Sequence, residues 1–305
     1  MKAPFPYFGG KARAAQAIWQ RLGPVDHYVE PFAGSLAVLL ARPHPPNVET
    51  VNDLDGYVAN FWRALKWAPS KVAHHADWPV LENDLHARRQ WLHDRQEELR
   101  ENLEADPLWF DPRAAGWWLW GQAAWIGGGW PTHKARILPH LADPGRGINA
   151  RSRRHDLPGL LEELSERLRY VRVASGDWSR VVSNAVLMGQ SYWDPIGVVL
   201  DPPYLAEGRG ERCYTEEDGA VALEVYEWAA EMGAHPRLRI AVCGYAGDWT
   251  PPEGWTEHAW KAQGGYGVQH DGQGRDNASR ERVWFSPGCL TLEDAGARAV
   301  QNALI

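Results

Sequence analysis

The chain has few cysteines and no long apolar run, and both absences narrow its class. Its three cysteines, Cys213, Cys243 and Cys289, are scattered among 305 residues, so they predict neither a disulfide framework nor a zinc site. No stretch approaches the roughly 20 consecutive apolar residues of a membrane-spanning helix. The first residues, MKAPFPYFGGKARAAQ, lack the apolar segment of a signal peptide. We therefore expect a soluble, cytoplasmic protein without a membrane partner.

Positive charge is also in deficit. Lysine and arginine number 32 against 39 acidic residues, which gives a net charge of −7. A nucleic-acid partner usually requires a basic surface, so the overall balance argues against one. It does not exclude one, because the field at a binding surface is set by local charges. Tryptophan is abundant instead, with 18 residues; we expect most to pack in the core and fewer to stack on bases.

Strand and helix patterns alternate in the first and last parts of the chain. Short apolar runs predict strands at 27–30, 48–51, 170–173, 198–200, 238–243 and 282–285. Apolar residues at helical spacing predict helices at 11–22, 36–41, 57–67 and 220–232. Ser35 is the expected N-cap of the second helix. Such alternation is typical of an α/β fold with a mostly parallel sheet.

The middle of the chain, residues 68–168, has a different composition. Charges and tryptophans crowd together there, a charged helix is predicted at 81–104, and strand-like runs are absent. Five of its tryptophans are expected to form a local core: Trp117, Trp118, Trp120, Trp125 and Trp130. We interpret 68–168 as an inserted, mainly helical domain. The α/β domain then consists of residues 1–67 and 169–305.

Four predicted strands end in residues suited to binding or catalysis. These strand ends are residues 30–34 (EPFAG), 52–53 (ND), 176–178 (GDW) and 201–204 (DPPY). Ligands of open α/β sheets bind outside the carboxyl ends of the strands. A lone Asp there is usually a turn residue or a helix cap, and we expect Asp55 to cap the next helix. DPPY is more specific, since chance predicts it on the order of a few times in a thousand such chains.

In this order, the motifs resemble the DNA adenine methylase (Dam-like) family of N6-adenine methyltransferases. The matching text is PYFGGKARAAQAI, YVEPFAGSLAVLL, VNDLDGYVANFWRAL, SGDW, DPPY and ERVWFSP. It covers roughly 1–67 and 170–285, in the alpha arrangement of the family. The resemblance implies a Rossmann-like methyltransferase fold with S-adenosylmethionine as cofactor and DNA as substrate. It also implies that the inserted domain, 68–168, recognises the DNA target.

The resemblance implies cofactor contacts at several of these segments. The turn at 30–34 would cradle the methionine part, Asp53 would accept hydrogen bonds from the ribose, and Asp177 would accept one from the adenine amine. The YFGGK segment would fold over the cofactor. The expected cofactor-binding residues are Tyr7, Lys11, Glu30, Pro31, Phe32, Gly34, Asp53, Asp177 and Trp178. Leu36 departs from the pattern, because many relatives have a second glycine there.

The DPPY segment suits chemistry on an amine. The 6-amino group of adenine is a poor nucleophile because its lone pair is delocalised into the ring. Asp201 and the carbonyl of Pro202 would each accept one amine hydrogen, and Pro202 and Pro203 would hold both acceptors rigidly. Tyr204 would face a base that has left the duplex. This chemistry requires no metal. The family's cytosine-N4 enzymes have Ser in place of Asp201, and its glutamine-modifying relatives have Asn.

Two basic loops are the expected DNA contacts. The first contains Arg146, Arg151, Arg153 and Arg154 beside His155, and the second, after DPPY, contains Arg209, Arg212 and Tyr214. We therefore predict a monomeric or weakly dimeric DNA N6-adenine methyltransferase, with restriction protection, regulation and phage genome modification as open roles. Two alternatives stay open: methylation of RNA or another amine, and an inactive, DNA-binding relic of the fold.

Overall fold

The structure is a computed structural model, which describes residues 1, 3–5, 10–125, 130–132, 138–140, 156–204, 216–260 and 279–293. In these residues the helices are α1 (Ala15–Leu22), α2 (Ala37–Leu40), α3 (Gly56–Trp67), α4 (Pro69–Ala76), α5 (Glu82–His93), α6 (Gln96–Ala105), α7 (Pro112–Ala124), α8 (Leu157–Arg167), α9 (Asn184–Leu187) and α10 (Glu216–Met232). The strands are β1 (His27–Glu30), β2 (Val48–Asp53), β3 (Val171–Ser175), β4 (Ile196–Leu200), β5 (Leu238–Tyr245), β6 (Thr256–Ala259) and β7 (Glu281–Phe285). A 3₁₀ helix spans Trp178–Val182.

The seven strands form one sheet in the order β3–β2–β1–β4–β5–β7–β6. The first five are parallel, and β7 runs antiparallel to both β5 and β6. Strand order reverses between β1 and β4, and ligands of open α/β sheets bind in the crevice at such a point. Because β1 ends at Glu30 and β4 ends at Leu200, the segments 30–34 and 201–204 both begin there.

Helices cover both faces of the sheet. Val198 and Leu200 of β4 pack in a hydrophobic cluster that contains residues of α10, whereas Val199 packs in a second cluster with α1, α2 and α3. This alternation is expected for side chains along a strand. All of β4 is buried, as is usual for a parallel strand covered on two sides. The predicted α/β fold with a mostly parallel sheet is therefore confirmed.

The helical segment, which consists of α4 to α8 within residues 68–168, extends the core on one side of the sheet. Helices α7 and α8 both pack against α3 and α4. Trp118 of α7 is fully buried and belongs to the same hydrophobic cluster as Val199 of β4. Four of the five tryptophans expected in a local core are buried: Trp118, Trp120, Trp125 and Trp130. Trp117 is half-buried. The division of the chain at 68 and 168 stays a prediction.

Some local expectations are corrected by the structure, whereas the cap at Asp55 is confirmed. The segment 81–104 forms two helices, α5 and α6, rather than one. Strand β6 was not predicted, because its mostly exposed residues show neither an apolar run nor alternation. Asp55 caps α3 by accepting a hydrogen bond from the backbone N–H of Tyr57 at 2.8 Å.

The prediction that Ser35 caps α2 is wrong. The helix begins at Ala37, and its N-cap is Leu36, which has a φ of 56° and makes no side-chain cap. This left-handed conformation is strained for a residue with a β-carbon and unstrained for glycine. Leu36 is fully buried, so the packing of its side chain offsets the strain. The departure from the family pattern thus falls where the backbone adopts a conformation that favours glycine.

We expect Leu36→Gly to be more stable than Leu36→Ala by about 1 kcal/mol, with both less stable than the parent. Each substitution removes a buried leucine side chain, at a cost of about 2–5 kcal/mol. Only glycine relieves the left-handed strain of about 1–2 kcal/mol, and the greater freedom of its unfolded chain takes back part of that gain. Urea unfolding measures the order.

The matched control is Leu39, which is also fully buried but lies inside α2. Inside a helix glycine is less favourable than alanine, so Leu39→Gly should be less stable than Leu39→Ala by about 1 kcal/mol. The same order at both positions would show that the backbone at Leu36 is unstrained.

Candidate active site

Asp201 lies at the centre of the candidate active site, directly after β4. Its Oδ1 is 2.8 Å from Nζ of Lys11; the carboxylate is 22 % exposed and the lysine 3 % exposed. The same ammonium lies 4.9 Å from the centroid of the Tyr204 ring, which is the geometry of a cation–π contact. The structure therefore brings Lys11, which was predicted as a cofactor contact, next to the predicted catalytic residues.

Burial and neighbouring carboxylates set the protonation states of Lys11 and Tyr204. Burial opposes the charge on Lys11, but the carboxylates of Asp201 and Glu281 outweigh it and raise the pKa of the ammonium. Burial, with the charge of Asp201 acting in the same direction, raises the pKa of the Tyr204 phenol well above its usual value. At neutral pH the site therefore holds a lysine cation beside a neutral tyrosine.

Tyr204 is held in place by residues that follow it along the chain. It is 4 % exposed, its hydroxyl donates a hydrogen bond to Oε2 of Glu281 at 3.1 Å, and its ring packs edge-on against Tyr245. Glu281 is buried at the start of β7. Sequence reasoning missed it, and the only available signal was an acidic residue in the closing motif ERVWFSP. The role of Tyr204 as a face for the substrate base stays a prediction.

The turn after β1 is tied to the end of β2 through Asp53. One carboxylate oxygen accepts a hydrogen bond from the backbone N–H of Gly34 at 2.7 Å, and the other accepts one from the N–H of Asp55 at 2.9 Å. Gly34 has a φ of 45°, which a residue with a side chain would rarely adopt. Asp53 therefore fixes the glycine turn predicted to cradle the cofactor.

Asn52 links the turns after β1 and β3. Its side-chain amide donates hydrogen bonds to the carbonyl of Pro31 at 3.0 Å and to the carbonyl of Gly176 at 2.9 Å. Sequence reasoning placed Asn52 at a strand end but gave it no role. Its bonding partners are 21 and 124 residues away, so only the folded chain reveals them.

Two carboxylic acids near the turn after β1, Glu30 and Asp55, have raised pKa values. Glu30, the last residue of β1, is buried and accepts a hydrogen bond from the hydroxyl of Tyr28 at 3.0 Å. Burial raises the pKa of Glu30 to about 8, and the charges of Asp201 and Asp53 act in the same direction. Burial together with the charge of Asp53 raises the pKa of Asp55 to about 7. Glu30 is therefore mainly protonated at neutral pH.

The turn after β3 follows the edge strand on the parallel side of the sheet. Asp177 is exposed and caps the 3₁₀ helix by accepting a hydrogen bond from the N–H of Ser179 at 2.9 Å. The ring of Trp178 stacks against that of Phe32, with centroids 6.0 Å apart and an interplanar angle of 26°. The buried indole N–H of Trp178 has no hydrogen-bond partner in the part of the chain that the structure describes.

The remaining predicted contacts lie outside the described residues. They are Tyr7, Arg146, Arg151, Arg153, Arg154, His155, Arg209, Arg212 and Tyr214. Among the described residues, no group of three histidine, cysteine or acidic side chains is placed to hold a metal ion. None of the described helices combines the length and apolar character needed to cross a bilayer.

Sequence comparison finds one family model that matches the first part of the chain. Residues 7–109 match the model of the D12 class N6 adenine-specific DNA methyltransferase. The chain is thus similar to this family over about a third of its length. The match supports the family resemblance and, with it, an adenine-N6 methyltransferase activity. The matched residues include Lys11, Glu30, Gly34 and Asp53. They extend into the helical segment to just past the end of α6 and stop well before Asp201.

Other comparisons add little. Two solved structures of the rRNA methyltransferase aviRa from Streptomyces viridochromogenes each have a TM-score of 0.34 with this chain. One is 15 % identical and covers 93 % of this chain and 87 % of that one; the other is 14 % identical and covers 94 % and 89 %. No curated protein matches this chain.

Glu30 gives a prediction about pH and stability. Its pKa rises from 4.5 to about 8 on folding, so the native state binds this proton more tightly than the unfolded chain does. Its contribution to the free energy of unfolding is complete below about pH 4.5 and is lost as the pH rises through about 8. In urea unfolding between about pH 5 and about pH 9, the parent should lose stability relative to Glu30→Gln, whose amide does not ionise.

The control for this series is Glu97→Gln, a change at an exposed position on α6. Its stability should follow the pH dependence of the parent. The assignment to Glu30 is refuted if the Glu30→Gln curve also runs parallel to the parent curve.

Proposed function

We propose that this protein transfers a methyl group from S-adenosylmethionine to the 6-amino group of an adenine taken out of the DNA duplex. The observation that carries the proposal is the fixed position of Asp201. The carboxylate follows β4 at the switch point of the sheet, precedes two prolines and is held by the buried Lys11 ammonium at 2.8 Å. A rigid acceptor at this point suits an amine that must be oriented for attack.

The described residues fit the cofactor. Oδ1 of Asn52 and the indole N–H of Trp178 are buried and have no hydrogen-bond partner among them. A buried polar atom without a partner costs about 1–3 kcal/mol, so a polar ligand beside these turns would offset that cost. Gly34, Asp53 and Asp177 would hold the methionine part, the ribose and the adenine amine. When bound, S-adenosylmethionine supplies an electrophilic methyl group on a sulfonium.

Asp53 can serve both the turn and the ribose. An ionised carboxylate offers about four acceptor positions, and the backbone N–H groups of Gly34, Leu54 and Asp55 use only part of this capacity on Asp53. The positions that remain would accept hydrogen bonds from ribose hydroxyls. The same carboxylate would thus shape the glycine turn and orient the sugar.

Asp201 and Pro202 act on the substrate amine in this proposal. The carboxylate accepts one N–H of the amine and the Pro202 carbonyl accepts the other, which directs the nitrogen lone pair out of the ring plane and toward the methyl group. Lys11 fixes the direction of the carboxylate through Oδ1. Asp201 would take up the proton that the amine releases on methylation.

Tyr204 gives the extruded base a rigid neighbour. Glu281 holds its hydroxyl, Tyr245 packs against its ring and Lys11 lies over one face. A ring that is already fixed needs little reorganisation when the base arrives. The base itself must leave the duplex, because the amine is inaccessible to the enzyme inside the stack.

The proposal is tested by incubating the enzyme with methyl-labelled S-adenosylmethionine and either unmethylated DNA or RNA. Nucleoside analysis should show label in N6-methyldeoxyadenosine. Label in an RNA nucleoside instead would overturn the choice of substrate. Absence of label from both, with folded protein and cofactor binding confirmed by calorimetry, would favour an inactive relic.

Two aspartates at different strand ends should separate chemistry from cofactor binding. We expect Asp201→Ala to lower kcat by about 10²–10⁴-fold while cofactor affinity is kept, because the change removes an acceptor for the reacting amine. Asp177→Ala should weaken cofactor binding by about tenfold or more and leave kcat nearly unchanged at saturating cofactor. Calorimetry gives the affinities and labelled transfer gives the rates. Turnover retained in Asp201→Ala would remove Asp201 from the mechanism.

A further inference from the structure

A cavity of about 410 Å³ opens in the helical segment, between α4, α5 and α7. These helices carry none of the predicted catalytic or cofactor-binding residues. Three tryptophans line it: Trp78 is 46 % exposed, and Trp91 and Trp117 are half-buried and pack edge to face with centroids 5.0 Å apart. Most buried tryptophans of the chain belong to its two cores, whereas these three present indole surface to a cavity.

Arg88 forms the base of this cavity. It is only 6 % exposed, and its guanidinium lies 4.3 Å from the ring centroid of the buried Trp120. It also lies 5.4 Å from the ring centroid of Trp78 and 5.3 Å from that of Trp117. Contacts with three indole rings hold the planar guanidinium group of this arginine in one orientation.

One nitrogen of this guanidinium, Nη1, is buried and makes no hydrogen bond among the described residues. Nη2 lies 3.8 Å from Oδ2 of Asp84, which also accepts a hydrogen bond from the indole N–H of Trp78. A buried charged group with an unmet donor is costly, so the arrangement favours an acceptor beside the guanidinium of Arg88, which lines the cavity.

We propose that this pocket, formed by Trp78, Arg88, Trp91 and Trp117, binds an unpaired nucleobase of the DNA substrate. The inference rests on the proposed function for the identity of that substrate. The indoles offer faces on which a flat base stacks, and such stacking tolerates any base. The guanidinium of Arg88, which lines the cavity, donates to an acceptor on the free pairing edge of the base, and Asp84 accepts from an N–H on the same edge.

Cations around the pocket favour a nucleic-acid strand over an uncharged aromatic ligand. Arg113 is exposed and lies 4.6 Å from the ring centroid of Trp91, and Arg95 lies 4.4 Å from that same centroid. Both would be close to the phosphates of a strand whose base enters the cavity beside Trp91. Such phosphate contacts position a strand without reading its sequence.

The test uses the full chain and a short single strand of thymidine and deoxycytidine that carries one 5-iododeoxyuridine. The absence of adenine keeps the target base of the active site out of the experiment. Irradiation followed by mass spectrometry should map the crosslink to Trp78, Trp91 or Trp117. Crosslinks found only elsewhere in the chain would overturn the proposal.

Affinity provides the second arm. Trp91→Leu removes one aromatic wall of the cavity and the ring that Arg95 and Arg113 contact. It should weaken binding of the strand about tenfold, measured by fluorescence anisotropy, and should reduce the crosslink. The matched control is Trp67→Leu, since Trp67 is 57 % exposed beside Lys66 but lies outside the cavity. It should change neither reading. Equal effects of the two substitutions would refute the pocket.

Arg88→Met tests the donor and should also weaken binding. If that variant does not fold, the half-buried Trp91 still decides the question. The failure of this inference is distinguishable from that of the proposed function. Pocket crosslinks without N6 methylation of adenine-containing DNA would refute the proposed function alone. Methylation without pocket crosslinks would refute the inference alone.

Discussion

The candidate site depends on the ion pair between Lys11 and Asp201. A buried ammonium without a partner would cost on the order of 3–5 kcal/mol, so the fold that buries Lys11 must also deliver a carboxylate to it. The two residues are far apart in sequence, one before α1 and the other after β4. Glu281, at the start of β7, adds a second negative charge and binds Tyr204. One buried cation thus joins three distant segments and sets the position of the carboxylate proposed to act on the substrate amine.

The crevice beside this pair is organised in a similar way, by polar side chains that hold backbone turns. Asn52 and Asp53 stand at the end of β2, between β1 and β3 in the sheet, and bond to the turns that follow both neighbours. Each turn would otherwise be a short loop with few constraints. Because the holding side chains come from a strand, the turns share the rigidity of the sheet, and a bound cofactor would meet preformed contacts.

Much of this architecture could be predicted from the sequence, since buried parallel strands appear as short apolar runs. Strand β1 was predicted at its observed bounds, and β4 was predicted to end at Leu200. The residues that sequence reasoning missed, Glu281 and Asn52, have roles defined by partners distant along the chain. Likewise, the sequence showed that Leu36 departs from the family pattern, but the left-handed backbone at that position is a property of the fold.

The acidic composition and the abundance of tryptophan make sense together in the helical segment. At physiological salt, charges interact over about 8 Å, so a net charge of −7 spread over the molecule has little effect at a cavity flanked by Arg88, Arg95 and Arg113. Indoles hold these guanidinium groups in place by stacking, which a lysine-rich patch would not allow. Affinity for a strand would then come from stacking as much as from phosphate neutralisation. A protein built this way can contact nucleic acid locally without a basic surface overall.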